Sequence, residues 1–201
     1  MDAHDPSREN EFRPRKEGSF YTNDLFGFDP SSDRFCRVST TGTGPTPRGA
    51  CAVATLGKRV YVHGGLCVGL LNDFFFLDME SMTWTEIRKT GFPAGVLSHT
   101  LSRLPLNRLL LVGGLRYDGV DDGSVSKAVK IFDEETLEWE EDRQEEESPY
   151  PPEGDRFEAA FFSHRAVEIQ MEGGMVVACL GGFVDTTRTK HPNHMMLFHV
   201  R

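Results

Sequence analysis

The sequence predicts an all-β protein built from repeats of about 50 residues, because two interleaved patterns recur along the chain. In the first pattern, an aspartate is followed six residues later by an aromatic residue. It occurs in NDLFGFDPSSDRF, NDFFFLDMESMTW and KAVKIFDEETLEW, which begin at Asn23, Asn72 and Lys127. In the second pattern, an apolar run ends in a glycine pair and a large apolar residue, as in VYVHGGL, LLLVGGL and VACLGGF. The two patterns alternate, so one repeat consists of four short strands.

The glycine pairs mark the ends of buried strands. The continuous apolar runs before them, such as RVYV and LLLV, are typical of strands that are covered on both faces. Paired glycines remove two side chains where backbones crowd together, and they permit a positive φ at the bend that follows. The glycines predicted to have this structural role are Gly64, Gly65, Gly113, Gly114, Gly181 and Gly182.

The aspartates and aromatic residues of the first pattern predict hairpins that pack between sheets. Asp78 and Asp133 precede polar turn residues, and their carboxylates can accept hydrogen bonds from the turn backbone. Trp84 and Trp139 then start the next strand, where we expect each ring to pack between neighbouring sheets. The same two roles are expected in the first copy of the pattern for Asp29 and Phe35.

Together these features resemble the kelch-repeat family of β-propellers, whose repeats of about 50 residues fold into four-stranded blades. The resemblance extends from Asn23 to His199, and TPRGACAVATLGKRVYVHGG is similar to the first two strands of a kelch blade. Cys51 stands where the family often has histidine, and Gly95 and Val96 stand where proline and arginine are expected. The resemblance implies an all-β, kelch-type β-propeller.

The predicted domain is an incomplete propeller of about three four-stranded blades, either an open arc or a fragment, since complete propellers have about four to eight blades. Its open blade edges are candidate surfaces for self-association. We expect a flexible polar tail at residues 1–20, the partial propeller at 21–201 and an acidic, proline-rich inter-blade loop at 142–155. Within the propeller we expect outer strands at 21–38, blades at 48–87 and 97–141, and the inner strands of a further blade at 156–199.

Charge and composition exclude several kinds of partner. The chain has 22 basic and 31 acidic residues, which gives a net charge of −9 and no electrostatic footprint for nucleic acid. Its apolar runs are much shorter than the roughly 20 residues that cross a bilayer, so no membrane span is expected. The spacing of the four cysteines matches no zinc pattern. We therefore expect reduced, mostly buried thiols and a cytoplasmic or nuclear location.

No catalytic, cofactor or metal site is predicted. The closest histidine cluster, His191, His194 and His199, lacks a cysteine or carboxylate companion, and His194 and His199 fall on opposite faces of a strand. By the kelch resemblance, His99 is a hydrogen-bonded core residue, and nothing in the sequence requires a nucleophile opposite it. No G-x-G-x-x-G, P-loop or G-x-S-x-G pattern is present. The chain is therefore not expected to be an enzyme.

The kelch resemblance implies a protein-interaction module that holds a partner on its blade loops. In kelch propellers that capture peptides, it implies arginines around one mouth of the disc, suited to bidentate contacts with carboxylates. Arg48 and Arg156 match the position at the start of the first strand, and Arg116 is displaced by one residue from the position after the glycine pair. The predicted role is a scaffold or adaptor, including the substrate-recognition part of a ubiquitin-ligase assembly. The alternatives are an enzyme or enzyme accessory subunit on a propeller scaffold, and an inactive truncated isoform.

Overall fold

The structure, a computed structural model, describes residues 21–88, 95–116, 124–126, 128–140, 162–172, 174–183 and 196–200. The predicted tail at 1–20 and the predicted acidic loop at 142–155 lie outside these residues. Among the described residues, no helix is long and apolar enough to cross a membrane.

The described residues form antiparallel sheets that follow one another along the chain. The first sheet pairs β1 (Phe26–Asp29) with β2 (Arg34–Arg37). Blade 1 consists, in spatial order, of β3 (Ala52–Leu56), β4 (Arg59–Leu66), β5 (Leu70–Asp78) and β6 (Thr83–Glu86). A two-stranded hairpin is formed by β9 (Leu115–Arg116) and β10 (Ser124–Val125). Blade 2 consists of β7 (Thr100–Leu104), β8 (Arg108–Val112), β11 (Val129–Asp133) and β12 (Glu138–Trp139). Blade 3 consists of β13 (Arg165–Met171), β14 (Gly174–Leu180) and β15 (Met196–Val200).

This arrangement confirms the predicted all-β, partial propeller. Strand β3 lies beside β7, and β7 lies beside β13, so the first strands of the three blades face a common axis. Strands β4 and β8 are buried along most of their length, as their continuous apolar runs indicate. The β9–β10 hairpin was not predicted, because its strands are only two residues long.

The glycine pairs bend the chain where one blade meets the next. The φ angles are +60° and +96° at Gly64 and Gly65, +67° and +105° at Gly113 and Gly114, and +72° and +90° at Gly181 and Gly182. A side chain at Gly65 would place its Cβ 2.6 Å from the carbonyl oxygen of Gly49. The amide of Gly65 donates to the carbonyl of Val96, at the start of blade 2, over 2.8 Å. Only glycine combines this φ with so close an approach of two backbones.

A second set of backbone contacts joins the starts of the blades. Ala50, Ser98 and Ser163 occupy equivalent positions just before β3, β7 and β13, and each has a left-handed conformation with φ of +54° to +57°. The amide of Ser98 donates to the carbonyl of Ala50 at 2.8 Å, and the amide of Ser163 donates to the carbonyl of Ser98 at 2.9 Å. Main-chain hydrogen bonds therefore run from blade to blade around the axis.

The largest hydrophobic core lies between blade 1 and blade 2. The ring of Phe74 meets that of Phe132 edge-on, with 4.8 Å between centroids. The ring of Trp139 lies 5.4 Å from both. All three side chains are buried, as is Tyr61, whose ring lies 5.8 Å from Phe132. This aromatic cluster therefore packs the face of blade 1 against the face of blade 2.

A charged group closes the edge of this core. The carboxylate of Glu134, from blade 2, accepts hydrogen bonds from the hydroxyl of Tyr61 and from Nη1 of Arg59, each at 2.9 Å. Burial raises the pKa of Tyr61 well above its usual value, so the phenol stays a donor. The Arg59 guanidinium also covers the ring of Phe76, 4.4 Å from its centroid.

The aromatic residues that follow each Asp turn are buried to different extents. Trp139 packs between sheets as predicted, because blade 1 covers it. Trp84 is half-buried, and Gly44 lies so close to its ring that a Cβ there would be 2.9 Å from Cδ1. For Phe35 the prediction is wrong, because this side chain is 75% exposed on the first sheet. Its ring packs against Phe28, with 4.9 Å between centroids.

The aspartates close the hairpin turns through their carboxylates. Asp78 accepts from the amides of Glu80 and Ser81 at 3.0 and 2.9 Å, and Asp133 does the same with the two equivalent amides. Asp29 accepts from the amide and hydroxyl of Ser31 and from a second serine hydroxyl, which lower the pKa of Asp29 to about 2. Hydrogen bonding to the charged form is the cause of this shift.

The blades have two unlike rims. On the Asp-turn rim, the strands are joined by short connections, whose described residues are 30–33, 57–58, 79–82, 105–107, 134–137 and 172. On the other rim lie the glycine pairs, the three-residue turn 67–69 and the strand ends from which the longer connections start, and we call it the long-loop rim. The described parts of these longer connections are 38–51, 87–88, 95–99, 113–116, 124–126, 128, 140, 162–164 and 181–183.

Replacing Trp139 by alanine should lower the free energy of unfolding by about 3–5 kcal/mol, since it removes a large ring from a packed core. Phe35→Ala is the matched control, because it changes the equivalent, exposed ring and should cost less than about 0.5 kcal/mol. Urea denaturation followed by circular dichroism measures both values. Equal losses for the two variants would contradict the burial difference between the sheets.

Candidate partner-binding rim

An apolar cluster lies on the long-loop rim at the junction of the blades. Its buried members are Leu97, Leu115 and Phe162. Leu97 pairs with Leu115 through two backbone hydrogen bonds of 3.0 and 2.8 Å, and Phe162 pairs with Phe183 in the same way at 3.1 and 3.0 Å. The equivalent pair in blade 1 is Gly49 with Leu66. The same backbone bridge therefore presents a residue after each glycine pair to this rim.

Part of the cluster is accessible from outside. Leu66, Leu70 and Phe183 are half-buried at its edge, and Val68, in the short loop between β4 and β5, is 90% exposed. The ring of Tyr21 lies against Gly49, where a Cβ would sit 2.6 Å from its Cε1. These residues were not named as site candidates from the sequence. The available signal was the large apolar residue that follows every glycine pair.

Arg48 lies under this rim and uses all of its donors within the chain. Its side chain is buried and forms a bidentate ion pair with Asp73, in which Nη2 lies 2.7 Å from Oδ2 and Nη1 contacts Oδ1. Nη1 also donates to the carbonyl of Gly64 at 3.0 Å, while Nε and Nη2 donate to the carbonyl and hydroxyl of Thr46 at 3.0 and 3.2 Å. A guanidinium has five N–H groups, so this network saturates it. The geometry supports a structural role for Arg48, and its contact with a partner stays a prediction.

The sequence of blade 2 supports the interpretation of Arg48 and Asp73 as a structural unit. The positions equivalent to them in blade 2 hold Val96 and Ala128, so the cation and the anion are both replaced by apolar residues. A buried charge without its partner is costly, whereas a well-packed apolar pair is tolerated. Because the cation and the anion are replaced together in blade 2, neither charge is left there without its partner.

The other two candidate arginines differ in their placement. Arg116 is exposed at the end of β9, on the long-loop rim and one residue from the buried Leu115. Its contact with a carboxylate of a partner stays a prediction. Arg156 lies outside the described residues. The structure therefore brings Arg48 and Arg116 to the same rim but leaves only Arg116 at the surface.

Two buried histidines meet between blade 1 and blade 2. Nδ1 of His63 lies 3.0 Å from Nε2 of His99, and both rings are at most 5% exposed. Burial lowers the pKa of His63 to about 4 and that of His99 well below its usual value. His164, at the position in blade 3 equivalent to His99, shares a hydrogen bond of 2.8 Å with the hydroxyl of Thr100 and also has its pKa lowered to about 4 by burial. All three rings are held neutral as core residues at pH 7.

The cysteines and the remaining histidines do not assemble into a metal site in the described part of the chain. No group of three or more histidine, cysteine, aspartate or glutamate side chains that could hold a metal ion occurs there. His191 and His194 lie outside the described residues, as does the side chain of His199. The prediction of mostly buried thiols is right for Cys179, whose burial raises its pKa to about 11, and wrong for the exposed Cys36.

Comparisons with known proteins agree with this architecture. The family model described as the KLHDC2/KLHL20/DRC7 Kelch-repeats domain matches residues 14–174. Acyl-CoA-binding domain-containing protein 4 of Arabidopsis thaliana is 31% identical over 131 residues, which cover 63% of this chain and 19% of that protein. Kelch domain-containing protein 2 of Bos taurus is 36% identical over 81 residues, covering 39% of this chain and 20% of that protein. Kelch domain-containing protein 3 of Rattus norvegicus is 28% identical over 146 residues, covering 69% of this chain and 37% of that protein. The chain thus spans well under half the length of these relatives.

Replacing Arg48 by alanine should lower the free energy of unfolding by about 3 kcal/mol, because it leaves Asp73 without its counter-ion. Arg116→Ala is the control at an exposed site and should change it by less than about 0.5 kcal/mol. The double variant Arg48→Val, Asp73→Ala copies blade 2 and should recover most of the loss in urea denaturation. If the double variant is no more stable than Arg48→Ala, the two residues do not act as an isolated unit.

The buried histidines should make the fold sensitive to mild acid. The unfolded chain binds protons near the ordinary histidine pKa of 6.5, whereas folded His63 binds them only near 4, so stability falls as the pH drops from 6.5 towards 4. Urea midpoints measured from pH 7 to 5 should fall steadily over this window. His63→Asn keeps an amide near the position of Nδ1 that can donate or accept a hydrogen bond but does not titrate, and it should make the slope shallower. A variant with the unchanged wild-type slope would show that His63 is not responsible.

Proposed function

Because the chain belongs to the kelch-repeat family, whose propellers are generally protein-interaction modules, we propose that it binds a protein partner on its long-loop rim. The observation that carries this proposal is the asymmetry of the two rims. Short turns close one rim, whereas the strand ends on the other rim are joined by longer connections, apart from the three-residue turn 67–69. Loops on a rigid scaffold are where binding residues concentrate.

The chemistry of the rim favours a partner segment with an apolar side chain next to a carboxylate. Leu66, Leu70 and Phe183 form an apolar edge, and Val68 projects from it into solvent. Arg116 is exposed on the same rim and can pair with a carboxylate through two parallel hydrogen bonds. A short acidic and apolar peptide segment satisfies both features, and Arg156 is a further candidate for its carboxylates.

The biological role that we propose is that of a scaffold or adaptor. The rim holds a segment of the partner protein while the rest of an assembly acts on it, as the substrate-recognition part of a ubiquitin ligase does. The rigid support for such a role is the set of backbone bonds between blades, which keeps the rim residues of three blades in fixed relative positions.

The proposal is tested by affinity capture from cell extract followed by mass spectrometry. The double variant Val68→Asp, Arg116→Glu changes two exposed residues on the long-loop rim, so it should fold normally yet lose a specific partner at least about tenfold. Lys58→Glu is the matched control, because Lys58 is an exposed cation on the Asp-turn rim. A partner that is lost with Lys58→Glu, or one retained by the double variant, would place the binding surface elsewhere.

A further inference from the structure

On the long-loop rim, blade 1 lacks a side chain at a position where blades 2 and 3 have a large one. Gly49, Leu97 and Phe162 are equivalent, because each pairs by a backbone bridge with the residue that follows the glycine pair of its own blade. Leu97 is 9% exposed and Phe162 is 1% exposed, and both belong to the buried apolar cluster of this rim. The main chain of Gly49 is therefore the floor of a slot in blade 1, which we call the Gly49 slot.

The ring of Tyr21 fills the Gly49 slot from another part of the chain. A Cβ at Gly49 would lie 2.6 Å from Cε1 of Tyr21, 3.1 Å from Cδ1 and 3.7 Å from Cζ, and these are the three atoms nearest to it. The ring thus lies against the main chain at the point where a side chain of Gly49 would begin. Because a tyrosine ring occupies the slot, its dimensions fit an aromatic side chain.

Tyr21 is not part of the framework of the blades. It lies outside the strands and is only half-buried. The segment that carries it contacts the rim through Asn23, whose Nδ2 donates to the carbonyl of Pro45 at 3.2 Å. A hydrogen bond of this kind contributes about 1 kcal/mol to stability. The ring can therefore leave the slot while every strand stays paired.

We propose that the Gly49 slot is a binding subsite for an aromatic side chain of the protein partner, which displaces the ring of Tyr21 when it binds. The inference rests on the proposed function and refines it, since it specifies that the apolar side chain of the partner is aromatic. Leu66, the bridge partner of Gly49, is half-buried at the apolar edge of the rim and lies beside the slot. Aromatic side chains suit such a subsite because they bury a large area with few rotatable bonds.

Competition between two rings for one slot has a measurable consequence. The partner binds only those chains in which the slot is open, so its apparent affinity is reduced by that fraction. Removing the ring of Tyr21 raises the apparent affinity, whereas a side chain at Gly49 closes the slot to both rings. Gly49→Leu copies Leu97 of blade 2, and the backbone accepts it because φ at Gly49 is not positive.

The compound p-cresol, which is the side chain of tyrosine without its backbone, probes the slot on the full chain. In two-dimensional NMR titrations, p-cresol should shift the amide signal of Leu66 in Tyr21→Ala, and it should bind the wild-type chain more weakly because Tyr21 competes. Its affinity for the double variant Tyr21→Ala, Gly49→Leu should be at least about tenfold lower, since the leucine fills the slot. Phe35→Ala is the matched control, because it removes an exposed ring elsewhere and should leave the wild-type response unchanged. Equal binding to Tyr21→Ala and to the double variant, or no binding to Tyr21→Ala, would overturn the proposal.

Partner capture separates this inference from the proposed function. A partner that is lost with the Val68→Asp, Arg116→Glu variant should bind Tyr21→Ala about threefold more tightly or better, and Gly49→Leu about tenfold more weakly. If that partner binds Gly49→Leu as well as wild type, the rim function stands and the aromatic subsite is wrong. If no partner depends on the rim, the proposed function itself fails, and the slot has no protein ligand whatever p-cresol does.

Discussion

Close backbone contact between the end of one blade's second strand and the start of the next blade is the constraint on which the rest of the structure depends. The amide of Gly65 reaches the carbonyl of Val96, and the amides of Ser98 and Ser163 reach the carbonyls of Ala50 and Ser98. These groups are taken out of water, so leaving them unpaired would cost more than the bonds themselves contribute. A Cβ at Gly64 would lie 2.7 Å from the carbonyl oxygen of Val96, and φ is positive at both Gly64 and Gly65, so the close approach of blade 2 at this point requires glycine.

The spacing that these bonds impose determines which side chains meet between blades. With the backbones held together at the axis, Phe74, Phe132 and Trp139 form one aromatic cluster. The same spacing places His63 against His99 deep in the interface, where desolvation keeps both neutral. At the outer edge of the interface, Glu134 of blade 2 forms an ion pair with Arg59 of blade 1. Specificity at this interface comes from paired polar groups placed around an apolar centre.

The same backbone hydrogen bonds between blades hold the long-loop rim in place. Leu97, Leu115 and Phe162 are held by backbone bridges and carry the half-exposed apolar residues above them. Arg48 reinforces the rim in blade 1 by binding Asp73, Gly64 and Thr46 together. Arg116 is not buried in such a network, and its side chain is exposed at the surface. A structural arginine and a candidate binding arginine therefore occupy one rim with different neighbours.

Local patterns in the sequence determined the strands, the glycine bends and the Asp turns, because each of these depends on a few adjacent residues. Gly64 and Gly65 need positive φ wherever the repeat occurs, and Asp78 closes its turn with amides two and three residues away. Only the tertiary structure decided that Phe35 is exposed although Trp139, at the same point of the same motif, is buried. It also decided that Arg48 is saturated by a carboxylate 25 residues away. These outcomes depend on which blade lies against a residue, and identical local motifs carry no information about that neighbour.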